Sequence, residues 1–460
     1  MVNRDRALWI IASVFLLSRL LLLPFNEAEF TDAYLILSWT IYDPSRWHPL
    51  YPLIVKMFAA VLDPILAGRI VSLLAGLFTL IPLAALAKTL YSRSAAFYAC
   101  CFYAASPLAL WANTRVLTES LFVLLTVSAV YYWMQLGSHR NALLWFLFFS
   151  GLAVLTRPEG LAFAPLVLFA LYRSLRTNFR TAALIVAACI PWILFVFWSM
   201  IDSDDNYRDV MLQNLMTLRA EDLLTRVVAY LDVYPYISFY PVFALSIYGL
   251  LSKYSKSHGR WLTVLVYLHV CCFVTLTIHA SWSTRFLLLP SSMLLLPAAA
   301  GFENLGIPQR ASRVLFILLI VLLSAFSGIA FQLQRKTFAD FKQVAECAAT
   351  QSPKERILSD ENIKTEYYLR RSVEVYTRAE PLTAGDILIL HSFNTDLSQE
   401  MQYLQEKYEV EFLCMNKSEV VPILANGVLE KNELTNSHMA VQARFNRQRF
   451  RSIALEIKKQ

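Results

Sequence analysis

The sequence predicts an α-helical polytopic membrane protein that carries a small α/β soluble domain near its C-terminal end. Three observations predict it. Of 460 residues, 57% are hydrophobic and only 16% are charged, whereas soluble domains carry roughly a quarter charged residues. Apolar runs of about 20 residues, the length needed to cross a bilayer as a helix, recur from the start of the chain to about residue 331. Beyond that point the composition turns soluble. These features exclude a purely soluble enzyme and a disordered chain, and seven cysteines in this length exclude a disulfide-stapled miniprotein. The 41 basic and 34 acidic residues leave a net charge of +7, which has to be read by location before it says anything of partners.

Taken in order, the apolar segments are approximately 7–24, 67–90, 94–112, 116–136, 141–156, 159–173, 181–200, 233–252, 260–280, 283–300 and 312–331. That is about eleven transmembrane helices by length and apolarity. The stretch 49–64 is apolar but is cut by Pro49, Pro52, Lys56, Asp63 and Pro64, so it reads as an amphipathic interfacial helix in the first loop. Lys and Arg concentrate in one alternating set of loops: Arg4 and Arg6, Lys88 and Arg93, Arg140, Arg173 with Arg176 and Arg180, Lys253 with Lys256 and Arg260, and Arg310 with Arg313. The positive-inside rule makes those loops cytoplasmic. The opposite loops hold Glu27, Glu29, Asp32 and Asp43, and later Asp202, Asp204, Asp205 and Asp209. The expectation is a multi-pass protein of the plasma (inner) membrane, its N-terminus cytoplasmic and its C-terminal domain external. No Ala-x-Ala site follows the first span, so it reads as retained rather than cleaved.

Residues 1–331 therefore form the membrane domain and 332–440 an external α/β domain, in which strand-like runs such as Asp386-Ile-Leu-Ile-Leu-His alternate with helical stretches. From 441 to 460 the basic residues read as a solvated or membrane-surface tail. Cys347 and Cys414 both fall in the external domain, where a disulfide is chemically allowed. The +7 excess is thus mostly a topology signal with a basic tail, and nucleic acid is not an expected partner.

Ionisable groups at membrane depth are costly and invite a functional reading. In the first loop, Glu27, Glu29 and Asp43 read as a solvated acidic face. Asp32 differs, because the apolar Ala-Tyr-Leu-Ile-Leu-Ser-Trp that follows draws it onto the membrane surface. A partly desolvated carboxylate can act as general base on an alcohol. Arg115 and Glu119 are spaced to pair on one helix face. Arg157, followed by Pro-Glu-Gly, and Arg285, followed by Phe-Leu-Leu-Leu-Pro, suit a lipid phosphate, which a guanidinium binds in bidentate fashion. A base and cations on one membrane face are what moving a sugar from a lipid phosphate to a hydroxyl requires. A polytopic lipid or solute transporter is the alternative, although no internal repeat is visible.

The order of Asp32-Ala-Tyr, His48-Pro-Leu-Tyr-Pro-Leu, Gly68-Arg-Ile-Val-Ser, Leu117-Thr-Glu-Ser-Leu-Phe, Thr156-Arg-Pro-Glu-Gly and Arg285-Phe-Leu-Leu-Leu-Pro resembles the GT-C superfamily of polytopic glycosyltransferases. It is closest to glycosyltransferase family 39, the protein O-mannosyltransferases, and to aminoarabinose-transferase-like proteins; Thr118-Glu-Ser-Leu-Phe also resembles the second mannosyltransferase of GPI-anchor synthesis. The likeness covers about residues 1–300, through short motifs whose order is the specific part. It implies a polyprenyl-phosphate-linked sugar donor, a hydroxyl-bearing acceptor, an external active site and a first-loop acid as base. That role falls on Asp32. Many family 39 members have Asp-Glu where this chain has Asp-Ala, so Glu29 and Glu119 stand as candidates for a second acid. Arg285 and Arg157, then His48 and Arg69, are the candidates for the donor phosphate. No metal and no cofactor are expected, and Asp202-x-Asp204 reads as part of a polar loop.

Overall fold

The structure is a computed structural model that describes residues 4–26, 29, 33–34, 36–37, 48–139, 141–174, 185–201, 216, 231, 234–235, 237–252, 258–278, 287–334, 339–351, 356–360, 362–369, 373–379, 381–392, 396–420 and 448–459. Asp32, Arg285, Asp202 and Asp204 lie outside these residues. The membrane half contains helices α1 (Arg4–Leu22), α2 (Leu50–Ala59), α3 (Pro64–Leu90), α4 (Arg93–Ala105), α5 (Pro107–Asn113), α6 (Glu119–Met134), α7 (Ala142–Thr156), α8 (Ala164–Ser174), α9 (Ile190–Ile201), α10 (Tyr240–Leu251), α11 (His258–Ile278), α12 (Leu288–Glu303) and α13 (Gln309–Gln334).

Local chemistry sets the boundaries. Asp63 ends the short α2 segment and starts α3: its Oδ1 accepts from the backbone N–H groups of Ile65 and Leu66 at 3.0 and 3.2 Å, with Pro64 in the first turn. The run 94–112, expected as one span, is two helices bent by 62°. Pro107 is the cause, since it cannot donate to the preceding turn and holds Ser106 in an extended conformation.

Among the described residues three helices, Arg6–Phe25, Pro64–Leu90 and Gln309–Gln332, are long and apolar enough to cross a membrane alone, and the bent pair makes a fourth. Others of the about eleven expected spans fall on shorter apolar helices of 10–17 residues, such as Glu119–Met134 and Leu288–Glu303, or run partly outside the described residues. α12 forms the centre: every residue from Leu288 to Phe302 is buried, and it packs on α10 and α4. Its approach to α10 is backbone to backbone. A Cβ added at Gly301 would stand 2.3 Å from the carbonyl oxygen of Leu245, the small-residue contact that lets membrane helices close on each other. On the outside, α1 and α13 expose Trp9, Val14, Val314 and Val321, as lipid-facing helices do.

The C-terminal unit contains α14 (Ala339–Gln351), β1 (Ile357–Ser359), α15 (Asn362–Leu369), β2 (Glu374–Val375), β3 (Ile387–His391), α16 (Leu397–Lys407), β4 (Glu409–Val420) and β5 (Gln448–Lys459). Its five-stranded sheet has the order β2-β1-β3-β5-β4, with β1 parallel to β2 and β3, and β5 antiparallel to β3 and β4. Both faces are covered. Leu358, Leu388, Leu390, Ile453, Leu455 and Ile457 face Leu404 of α16, while Ile357, Ile387, Ile389 and Ala454 face Phe341, Val344 and Ala348 of α14. Cys347 and Cys414 form a disulfide that ties α14 to β4.

One expectation is corrected here. The segment read as a basic tail, 441–460, supplies β5, an interior strand of the sheet. Ile453, Leu455 and Ile457 recur with a period of two and are buried on one face, with Ala454 buried on the other. The surrounding Lys and Arg residues set the net composition, but the alternation sets the structure.

Candidate active site

Four of the six motif pieces converge on the short non-helical segment Thr114–Thr118, which joins α5 to α6. The first loop arrives from one side. Asn26 donates from Nδ2 to the carbonyl of Thr114 at 2.8 Å, and the Glu29 carboxylate accepts from the backbone N–H of Val116 at 3.3 Å. Glu29 is 1% exposed, so its reading as part of a solvated acidic face is corrected. Its partner is Arg69, whose Nε donates to Oε1 at 2.7 Å. The rest of the Arg69 fork donates to the carbonyls of Leu23 at 2.9 Å and Asn26 at 3.0 Å. A single guanidinium thus fixes the turn that leaves the first membrane helix. The next piece comes from α2: the Tyr51 hydroxyl donates to the carbonyl of Gly68 at 2.9 Å and lies 2.8 Å from the Ser72 hydroxyl, which bonds the carbonyl of Leu117 at 3.0 Å.

The other side of the segment is held by Arg157. Pro158 forces Arg157 into an extended conformation, which ends α7. Gly160 then lets the following 3-10 turn (Pro158–Phe163) fold back, since a Cβ there would stand 2.5 Å from the backbone nitrogen of Val154. This brings Arg157 and Glu159 face to face, with Nε and Nη2 donating to the two carboxylate oxygens at 3.1 and 2.7 Å. The Arg157 Nη1 reaches Glu119 at 2.8 Å and the Thr118 hydroxyl at 3.0 Å. Arg157 and Glu119 are both buried.

The pairing of Arg115 with Glu119 on one helix face is also corrected in its premise: α6 starts at Glu119, so Arg115 precedes the helix. It is buried, 1% exposed, and its electrostatic neighbours include Glu29, Arg69 and Tyr34. Sequence reading set it aside as a routine i, i+4 pair. The available signal was that Thr114-Arg-Val-Leu-Thr bridges two helices.

Tyr34 is the second residue that sequence reading missed. It is 1% exposed and its hydroxyl accepts from the backbone N–H of Glu29 at 3.1 Å. That hydroxyl also bonds Tyr368 of α15, and its ring packs on those of Tyr367 and Tyr368, with centroids 5.2 and 5.3 Å away. Burial pushes both the Tyr34 and Tyr368 phenols up from the ordinary tyrosine range, so they remain protonated donors. The C-terminal domain therefore rests on the first loop two residues from Asp32. His48 stands just before α2 with its ring stacked on Phe195 of α9, centroids 5.7 Å apart.

The arrangement holds a first loop and an interhelical segment rigidly at one membrane face, through buried arginines and carboxylates. Arg69, Glu29, Glu119 and Arg157 are brought together there. The family described as dolichyl-phosphate-mannose-protein mannosyltransferase matches residues 44–200. No curated protein matches the chain by sequence. Among solved structures, ArnT from Cupriavidus metallidurans bound to undecaprenyl phosphate superposes with a TM-score of 0.62 at 12% identity, covering 88% of this chain and 95% of that one. The same protein in the apo state gives 0.57 at 11% identity, over 96% and 97%. The chain thus shares its fold with these structures over nearly the full length of both chains, and the family model matches its residues 44–200.

Proposed function

We propose that the protein is a membrane glycosyltransferase that takes a sugar from a polyprenyl-phosphate donor and passes it to a hydroxyl acceptor on the external face. The observation that carries this reading is the fold shared over 88% of the chain with a structure that holds undecaprenyl phosphate. The buried network at one membrane face supports it, because a site for charge transfer at a lipid boundary needs fixed dipoles and cations. The Cys347–Cys414 disulfide supports an external C-terminal domain, since such bonds persist in oxidising compartments.

In the proposed reaction Asp32 takes the proton of the acceptor hydroxyl. The acceptor oxygen bonds the anomeric carbon as the bond from that carbon to the phosphate oxygen breaks, and the lipid phosphate leaves with the electron pair. A single displacement of this kind inverts the anomeric centre. Glu29 and Glu119 are each held in a buried pair with an arginine, an arrangement that suits positioning of the surrounding segments. Arg69 and Arg157, the partners, hold the first loop and the 114–118 segment. Donor phosphate then falls to Arg285 and His48.

The test incubates purified full-length protein with a panel of prenyl-phosphate sugars and hydroxyl acceptors. Asp32→Asn is expected to lower transfer by roughly 10²–10⁴-fold while leaving thermal unfolding unchanged. Unchanged transfer removes Asp32 from the base role. Failure of the wild type to consume any donor overturns the transferase reading.

A further inference from the structure

At the other end of the same helices lies a cleft of about 580 Å³, formed between α1, α3, α4, α6 and the residues just after α6. A rise of about 1.5 Å per residue puts Lys88 about 28 Å from Arg69 along α3, close to the thickness of the hydrocarbon layer. The cleft therefore opens at the opposite membrane boundary from the candidate active site, on the side where the basic loops gather.

Its chemistry is of one sign. Lys88, Arg93 and His139 are exposed at its rim, and among the described residues no Asp or Glu lines it and neither Lys88 nor Arg93 has an ion pair. Thr89 accepts from Gln135 Nε2 at 3.0 Å, which fixes the hydroxyl beside the cations. Below this rim the wall is apolar, formed by Ala84, Ala85, Ala96 and Phe97. A cationic rim over an apolar wall at a bilayer boundary matches an anionic headgroup with an acyl or prenyl chain beneath it.

We infer that this cleft binds the phosphate headgroup of an anionic membrane lipid, with Lys88 and Arg93 on the phosphate oxygens and the chain along Phe97. The shared chemistry is a lipid phosphate, and two sources carry it, a bilayer phospholipid and a prenyl monophosphate.

Native mass spectrometry of the full-length protein in detergent, with phosphatidylglycerol, phosphatidylcholine or a prenyl monophosphate added, tests this. Wild type is expected to retain one of the two anionic lipids over phosphatidylcholine, and the lipid whose retention falls in the cleft variant below identifies the source, since a prenyl monophosphate held at the candidate active site would stay bound in that variant. Lys88→Gln with Arg93→Gln is expected to lower that retention about thirtyfold, the scale set by two cations near a membrane surface. Arg310→Gln with Arg313→Gln, exposed cations in another loop on the same expected face, serves as control and is expected to retain lipid as wild type does. Equal retention of phosphatidylcholine by wild type, undiminished retention of both anionic lipids in the Lys88/Arg93 variant, or equal loss in the control overturns the site. Since all residues changed are exposed, monodispersity on gel filtration suffices to show that the variants fold.

Discussion

Two regions of this chain use the same pair of side chains to opposite effect. At the membrane boundary, Arg69 and Glu29 have side chains 11% and 0% exposed, and Arg157 and Glu119 are 8% and 5% exposed. In the C-terminal domain, Arg356 pairs with Glu374 at 32% and 51% exposure. The distances are alike, 2.7 and 2.8 Å against 2.5 Å. Burial makes the difference. A buried pair cannot lose one partner without stranding a charge in low dielectric, whereas an exposed pair returns its groups to water. The buried pairs also hold backbone carbonyls and loop segments, so they determine geometry as well as energy.

The sharpest way to break this comparison is Arg69→Met. It leaves the Glu29 charge buried and the Leu23 and Asn26 carbonyls without their donor, and should cost roughly 3–5 kcal/mol. Thermal unfolding in detergent measures it, and the double variant Arg69→Met with Glu29→Gln should recover part of the loss. A single-variant cost near that of an exposed pair would end the distinction.

A smaller effect is expected where the C-terminal domain is held by a covalent tie instead of buried charge. Cys347→Ser with Cys414→Ser should lower the stability of that domain by about 2–4 kcal/mol. Hydrogen exchange would read it in β3 and β5, with α3 and α12 unchanged. Loss of protection in the membrane helices as well would show that the two regions unfold as one.

The smallest effect is expected at Glu374. The hydrogen bond from Arg356 holds its carboxyl below the usual carboxylate range. A folded-state pKa below the unfolded one gives stability that is present above the unfolded value and lost as pH falls through the folded value. Glu374→Gln should therefore differ slightly from wild type at neutral pH and converge with it on acidification. A difference that grows as pH falls would contradict the sign.

Much of this was legible in the sequence where one residue type acts alone. Pro158 ending α7 and Asp63 opening α3 follow from a missing N–H or a short polar side chain at a helix start. The motif order pointed to a shared site, and four of its pieces meet at 114–118. The misreadings have a common physical cause. Glu29 looked solvated because its loop is acidic, yet Arg69, far away in sequence, covers it. β5 looked like a tail because charge was counted before alternation was read. Arg115 looked paired because a helical spacing was assumed across a break that only the fold reveals.

The sequence by itself determined that this chain enters the membrane and which residues carry charge at the boundary, since apolar length and the cost of ionisable groups are local properties. Tertiary structure alone decided which carboxylate faces which arginine, that the last strand completes the sheet, and that Tyr368 reaches Tyr34. Those outcomes depend on burial and distance between segments remote in sequence. No local pattern encodes them.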